Sequence, residues 1–314
     1  MSNPSTHVLN EMKKVMNGKD DVIQNVWMTF LAGGHVLLED LPGVGKTTLA
    51  KAFSRVVGLD SNRIQFTPDV VASDVIGFTM FDKEKNEFVF KEGAVMCNLL
   101  LGDEINRTSS RTQAALLEAM QEKQVTVDGV TYPLPAPFHV IATQNPYGTI
   151  GTQPLPTAQL DRFMTKLSVG YPDFEDQVAM LRNRQQADPL SSLTQIITKN
   201  ELLALQHQVQ NLFIDDEILR YVTALTEKTR NHSSIHQGIS PRGALALCQM
   251  AKAHAFLQQR DYVIPEDVQA VWLPTSRHRI VMSGVPGTAH EQDALLENLL
   301  HSVATPDQAM LATF

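Results

Sequence analysis

Short apolar runs that end abruptly in turn residues recur through the first half of the chain. Residues 35–38 stop at Glu39, Asp40, Leu41, Pro42 and Gly43. Residues 98–101 stop at Gly102, Asp103 and Glu104, and residues 138–142 stop at Thr143, Gln144, Asn145 and Pro146. A fourth run, 165–169, ends at Gly170, Tyr171 and Pro172, and a weaker one, 63–66, ends at Thr67 and Pro68. Uninterrupted apolar runs of this length predict strands buried on both faces of a parallel sheet. The segments between them have room for crossover helices. Two segments depart from this rhythm. Residues 78–90 place two apolar arms around a polar tip, and residues 125–132 alternate around Asp128-Gly129. Both predict hairpins, either as surface decoration or as projections into a channel or onto a neighbour.

Past Pro172 the pattern turns helical. Acidic clusters at 173–176 and 215–217 precede helical stripes, as helix N-termini favour. Ile218, Val222 and Leu225 form an i, i+4, i+7 face. Ser240 and Pro241 read as an N-cap and first helical position. The helix they open carries Leu245, Leu247, Met250 and Phe256, so it is expected to be buried on most sides. Another helix is expected from Pro265. The boundary falls near Pro172: residues 1–172 form an α/β core with a five-stranded parallel sheet and two inserted hairpins, and residues 173–314 an all-α domain.

Composition adds limits. The chain has 314 residues, 43% hydrophobic and 19% charged, which suits a globular two-domain protein. No apolar stretch is long enough for a membrane span, and the polar start predicts no secretory leader. The expected compartment is the cytoplasm. Cys97 and Cys248 lie far apart in apolar surroundings and read as buried thiols, with no disulfide framework or zinc site. A net charge of −8 argues against a broad nucleic-acid footprint.

The strongest chemical signal is the stretch Pro42, Gly43, Val44, Gly45, Lys46, Thr47 and Thr48, between a predicted strand and a predicted helix. Glycines let backbone N–H groups curl around phosphate oxygens, and a helix N-terminus favours an anion. Lys46 is placed to reach the β- and γ-phosphates, and Thr47 to ligate Mg²⁺. The strict pattern asks for Gly at position 40, where this chain has Asp40. Asp103 and Glu104 end a second buried strand. Asp103 is a candidate Mg²⁺ ligand, and Glu104 a candidate for orienting a water for in-line attack. No Asn-Lys-x-Asp segment occurs, which favours ATP over GTP. Asn145, after a third strand, is a candidate for holding the γ-phosphate or the water, although Asn-Pro is also a plain turn signal. Arg162 is poorly placed for its own phosphate. Arg242, in the first turn of a helix whose dipole disfavours a cation, is expected to meet an anion. For either arginine in isolation, an ordinary surface ion pair is the preferred reading.

Taken together, these strings resemble the MoxR group of AAA+ ATPases, over nearly the whole chain from about Gly18 to Ile280. The resemblance is densest around Arg63 to Asp69 with Ser73 and Asp74, around Asp103 to Arg107 with Thr112 to Glu122, at Ala142 to Pro146, and at Leu155 to Phe163. It implies an AAA+ P-loop αβα core followed by an all-α lid. It implies that Asn145 is sensor 1, Arg162 the arginine finger offered to a neighbouring subunit, and Arg242 sensor 2. The hairpins become the helix-2 insert and the pre-sensor-1 hairpin. It further implies a homo-oligomeric ring, usually a hexamer, that hydrolyses ATP with Mg²⁺. Such rings act as chaperone-type remodellers with a partner carrying a von Willebrand factor A domain.

The alternative is a nucleic-acid-dependent AAA+ motor. The discriminating feature is hairpin charge: residues 125–132 carry Asp128 and no Lys or Arg, and residues 82–87 are mixed, which disfavours tracking along phosphates. His232 and His236 have i, i+4 spacing but no third ligand nearby. Arg107 and Arg111 follow the acid pair, facing either a neighbour or solvent.

Overall fold

The computed structural model describes residues 4–40, 43–145, 151–184, 188–284 and 288–306. Helices α1 (Pro4–Lys13) and α2 (Asp20–Leu31) lead into β1 (Val36–Glu39) and α3 (Lys46–Val57). Next come β2 (Ser61–Gln65), α4 (Ala72–Ile76), and the hairpin of β3 (Gly77–Asp82) and β4 (Glu87–Glu92). Strand β5 (Leu99–Asp103) is followed by the 3₁₀ turn η1 (Ile105–Arg107), α5 (Ser110–Glu122), and a second hairpin, β6 (Gln124–Val127) and β7 (Val130–Pro133). Strand β8 (His139–Gln144), the short α6 (Thr157–Leu160) and β9 (Thr165–Leu167) complete the core.

The strands pair in the order β2-β5-β8-β1-β9, and every pairing is parallel. Each overlaps one of the five runs read from the sequence, the edge strand β2 the weak one at 63–66. Strands β5 and β8 are buried along their whole length. Strand β2, at the edge, is mostly exposed, which is why its run was weak. Parallel pairing puts the ends of β1, β5 and β8 on one edge of the sheet, where open α/β folds bind ligands.

The second half runs α7 (Phe174–Arg184), η2 (Pro189–Ser192), α8 (Lys199–Gln210), α9 (Asp216–Arg230), β10 (Ile235–Gln237), α10 (Pro241–Leu257), α11 (Pro265–Ser276), β11 (Val281–Met282) and α12 (Ala289–Ser302). It is helical apart from the β10–β11 ribbon. Asp215 caps α9 through the Glu217 N–H, and Ser240 caps α10 through the Gly243 N–H. Ile218, Val222 and Leu225 are buried, as their spacing required. Two expectations need correction. Leu245 is 65% exposed, because it lies on the outer face of α10, whose inner face in the same turns buries Gly243, Ala246 and Leu247. Cys97 is buried, but Cys248 is only half-buried.

One apolar cluster runs from α1 and α2, through one face of the sheet, into the helical half; it includes Trp27, Phe30, Phe53, Leu202, Leu247 and Trp272. A second lies on the other face, around Phe66, Leu116, Phe138 and Phe163. The helical half is therefore anchored to the core by continuous packing. No helix among the described residues is long and apolar enough to cross a membrane.

Candidate nucleotide-binding site

The end of β1 turns into α3 through two glycines with positive φ, Gly43 (88°) and Gly45 (99°). Among the described residues, nothing lies within 4 Å of where a Cβ on Gly43 would sit, and the nearest atom to a Cβ on Gly45 would be Met16 Cε at 3.7 Å. Glycine is needed at both for backbone conformation, since L side chains disfavour this region. Pro42 lies outside the described residues. Gly45 opens α3, so the free N–H groups of the first turn surround Lys46, Thr47 and Thr48. The Lys46 ammonium donates to the Asp40 carbonyl (2.9 Å). Desolvation lowers its pKa, and the carboxylates of Asp40, Asp103 and Glu104 push the other way. Lys46 thus feels the two acids at the end of β5.

Asp103 is buried and accepts from Arg63 (2.7 Å). Glu104 occupies the left-handed region (φ 56°, ψ 49°), costing a non-glycine residue roughly 1–3 kcal/mol. Three contacts hold it there. Its N–H donates to the Thr143 hydroxyl (2.8 Å), its carbonyl accepts from the Arg107 N–H (2.9 Å), and its carboxylate accepts from the Arg107 guanidinium (2.9 Å). A 3₁₀ turn brings i and i+3 side chains together, which accounts for the last pairing. It is a partly exposed ion pair, easily exchanged for another partner.

Asn145 is buried at the end of β8, and a residue that sequence reasoning passed over holds it. The buried Asn106 amide donates to the Asn145 carbonyl and accepts from its N–H, both at 3.2 Å. The signal was a polar residue inside the short turn after Glu104. We expect Asn106→Ala to destabilise the fold by about 1–3 kcal/mol, the cost of leaving buried polar groups unpaired. Urea unfolding would show a lower midpoint at unchanged slope; an unchanged midpoint would remove the clamp.

Beside the glycine turn lies a cavity of about 330 Å³. Its lining includes Val15 and Met16, the turn residues Gly43, Val44, Gly45 and Thr48, and Tyr171, Pro172, Gln177 and Met180, together with the charged Lys14, Lys19, Asp176 and Asp188. Its size and its mixed apolar and charged lining suit a nucleotide-sized ligand beside the glycine turn.

The two other predicted arginines stand elsewhere. Arg162 precedes β9, and Met164 N–H bonds to the His35 carbonyl at the start of β1. In a parallel sheet this is the edge opposite the glycine turn. Among the described residues, Arg162 Nε is buried without a hydrogen-bond partner. Arg242 is absent from the cavity lining. It donates to the Gln121 side-chain carbonyl (3.2 Å), a neutral acceptor at the end of α5. Its N-cap neighbour Ser240 donates to Asp161 (2.7 Å). Arg242 therefore sits with Arg162, on the far edge.

Arg279 secures that turn. It is 3% exposed and donates to the Asp161 carboxylate (2.8 Å) and to the carbonyls of Phe163 (2.7 Å) and Met164 (2.9 Å). Burial lowers its pKa to about 10, so it stays cationic at neutral pH. His278 bonds to the Phe163 carbonyl, and burial holds its pKa well below the ordinary value. Nothing local in Arg277-His278-Arg279 distinguishes this clasp from a basic surface stretch.

Residues 35–165 match the ATPase family associated with various cellular activities (AAA), and residues 227–299 match the AAA lid domain. The uncharacterized protein YeaC of Bacillus subtilis is 45% identical over 300 residues, covering 95% of this chain and 93% of YeaC. Chaperone MoxR1 of Mycobacterium tuberculosis is 39% identical, covering 94% and 81%. Protein MoxR of Paracoccus denitrificans is 31% identical, covering 91% and 90%. A crystal structure of a Cytophaga hutchinsonii protein put forward as an ATPase superposes with a TM-score of 0.86 at 36% identity, covering 97% of this chain and 96% of that one. With strand ends, glycine turn and helical lid arranged as described, the chain belongs to the MoxR family of AAA+ ATPases.

Proposed function

We propose that the chain is one subunit of a homo-oligomeric ring, hexameric by resemblance, that hydrolyses ATP to ADP and phosphate and uses the cycle to remodel a protein client. The observation that carries this reading is the gathering of Lys46, Asp103, Glu104 and Asn145 on one sheet edge, beside a cavity of base-binding size. In this reading Gly43 to Thr48 cradle the phosphates and Lys46 neutralises their charge. Glu104 orients and polarises the attacking water, and Asn145 holds it in line. Thr47 and Asp103 supply hard oxygen donors, a set that fits Mg²⁺, which takes few protein ligands beside substrate phosphates. When bound, the ion would neutralise charge on the phosphates.

Arg162 and Arg242 stand on the opposite edge, so in this reading both serve the nucleotide of the next subunit. The buried, unpartnered Nε of Arg162 supports a cation waiting for an anion. The Arg279 clasp on Asp161 ties the lid to the turn that carries the finger, so that the lid and both arginines move together. Residues 1–172 then act as the hydrolytic core and 173–314 as the element that reports its state.

Chaperone-type work is supported by similarity to chaperone MoxR1 and by the β3–β4 hairpin. Phe78, Met80, Phe81 and Phe88 are 41–74% exposed there. Apolar ribbon faces with no excess of cations suit a protein client better than a nucleic-acid backbone. A partner with a von Willebrand factor A domain, implied by the resemblance, would bring that client. The test is phosphate release by the purified chain with Mg²⁺ and ATP. Turnover is expected, and Lys46→Ala should abolish ATP binding. Binding retained in Lys46→Ala would overturn the assignment, and ATPase stimulated by DNA would favour a nucleic-acid motor.

A further inference from the structure

Asp40 is where the chain departs from the strict phosphate-loop pattern, and the structure gives its side chain definite partners. The residue is 8% exposed. Its carboxylate accepts three hydrogen bonds from one segment: the Ser168 hydroxyl (2.8 Å), the Val169 N–H (2.5 Å) and the Gly170 N–H (3.2 Å). Its carbonyl accepts from Lys46 (2.9 Å). One residue thus joins the phosphate-binding lysine to the segment that leaves β9.

That segment leads to a wall of the cavity. Gly170 turns with φ 62°. The Tyr171 carbonyl accepts from Lys19 (2.8 Å). Tyr171, Pro172, Asp176, Gln177 and Met180 then face Gly43, Val44, Gly45 and Thr48 across the cavity. Helix α7, which follows, contributes this wall and is only partly buried along its described length. It can shift without breaking a core. A charge-assisted bond to a buried carboxylate is about twice as strong as a neutral one. Three such bonds make residues 168–170 follow Asp40.

We propose that Asp40 is a positioning residue that couples occupancy of the phosphate cradle to residues 168–172 and, through them, to the α7 wall. The proposal rests on the ATP-hydrolysing reading. Lys46 bonds to the Asp40 carbonyl and is also the side chain a triphosphate would engage, so a shift of its ammonium toward phosphate would act on the Asp40 peptide. The carboxylate passes the change to the linker. A glycine at this position would serve the cradle equally well but would have no carboxylate for the linker.

The test is Asp40→Gly, with Asp40→Asn and Ser168→Ala beside it. Asp40→Gly keeps the carbonyl that receives Lys46 and removes the carboxylate with the rest of the side chain, while Asp40→Asn removes the charge and one acceptor oxygen and leaves the backbone constraint in place. The readouts are ATP affinity, steady-state kcat and KM, and amide hydrogen exchange at residues 168–171 with and without Mg-ATP. In the wild type, exchange at these amides should change on ATP binding. In Asp40→Gly it should be fast in both states, with ATP affinity within about threefold and kcat down by about tenfold or more. Asp40→Asn, which offers one acceptor for three donors, should fall between, and Ser168→Ala should stay close to wild type. Nucleotide-dependent exchange surviving in Asp40→Gly, or affinity and kcat falling together, would overturn the proposal. If the wild type neither binds nor hydrolyses ATP, the functional reading itself fails, which is a separate result. Circular dichroism separates both outcomes from misfolding; if Asp40→Gly does not fold, Asp40→Asn carries the same comparison.

Discussion

Glu104→Gln should yield a protein that binds ATP with near-native affinity and hydrolyses it about 10²–10⁴-fold more slowly, the span associated with a positioned acid–base group. The substitution is close to isosteric. It leaves the left-handed backbone of Glu104, the bond from its N–H to Thr143 and the 3₁₀ turn to Arg107 in place, and an amide oxygen still accepts from Arg107. What is lost is a carboxylate able to polarise water. Lys46 and the α3 turn, which hold the phosphates in the proposed reading, are untouched, so the defect should appear in kcat and not in the affinity for ATP. Single-turnover phosphate release alongside equilibrium binding would show it. Turnover near wild type would mean that another group activates the water.

Arg162→Ala should lose about 10³–10⁵ in kcat, the range for an arginine that neutralises transition-state charge from a neighbouring subunit. The guanidinium begins on the sheet edge opposite the glycine turn. Strand residues rise by roughly 3.3 Å each, so a strand length separates it from its own cradle. Subunit mixing tests the geometry. Glu104→Gln subunits keep a working finger, and Arg162→Ala subunits keep a working cradle, so mixed assemblies contain sites with both. Activity should reappear on mixing although each variant alone is inactive. No recovery at any ratio would show that Arg162 does not act across subunits.

The legible parts of the molecule are those whose physics is local. Residues 35–38, 98–101 and 138–142 are mainly apolar because their strands are buried on both faces, with His35, Asn98 and His139 as the buried polar exceptions, and the polar residues that follow mark the sheet edge at the glycine turn. Asp128-Gly129 marked a hairpin, with Asp128 and Gly129 both at positive φ. Ser240-Pro241 marked a helix start to the residue. The illegible parts depend on distant packing. Whether Arg242 faces the glycine turn or Arg162 is decided by how the lid docks, and that rests on Arg279 meeting Asp161, 118 residues away. Asn106 looked like one residue of a turn, because its partner Asn145 is 39 positions on. Asp40 read as a defect in a motif, because residues 168–170, which use its carboxylate, are remote in sequence.

Cradle and arginines on opposite edges of one sheet have a consequence for counting. If each copy supplies half a site on either side, a closed circle of n copies has n complete sites. An open arc of the same n copies has n − 1, with a bare cradle at one end and an idle pair of arginines at the other. Closing the circle then adds a full unit of catalysis without adding a single atom, and a seam opened by a client would silence one site while leaving the others running.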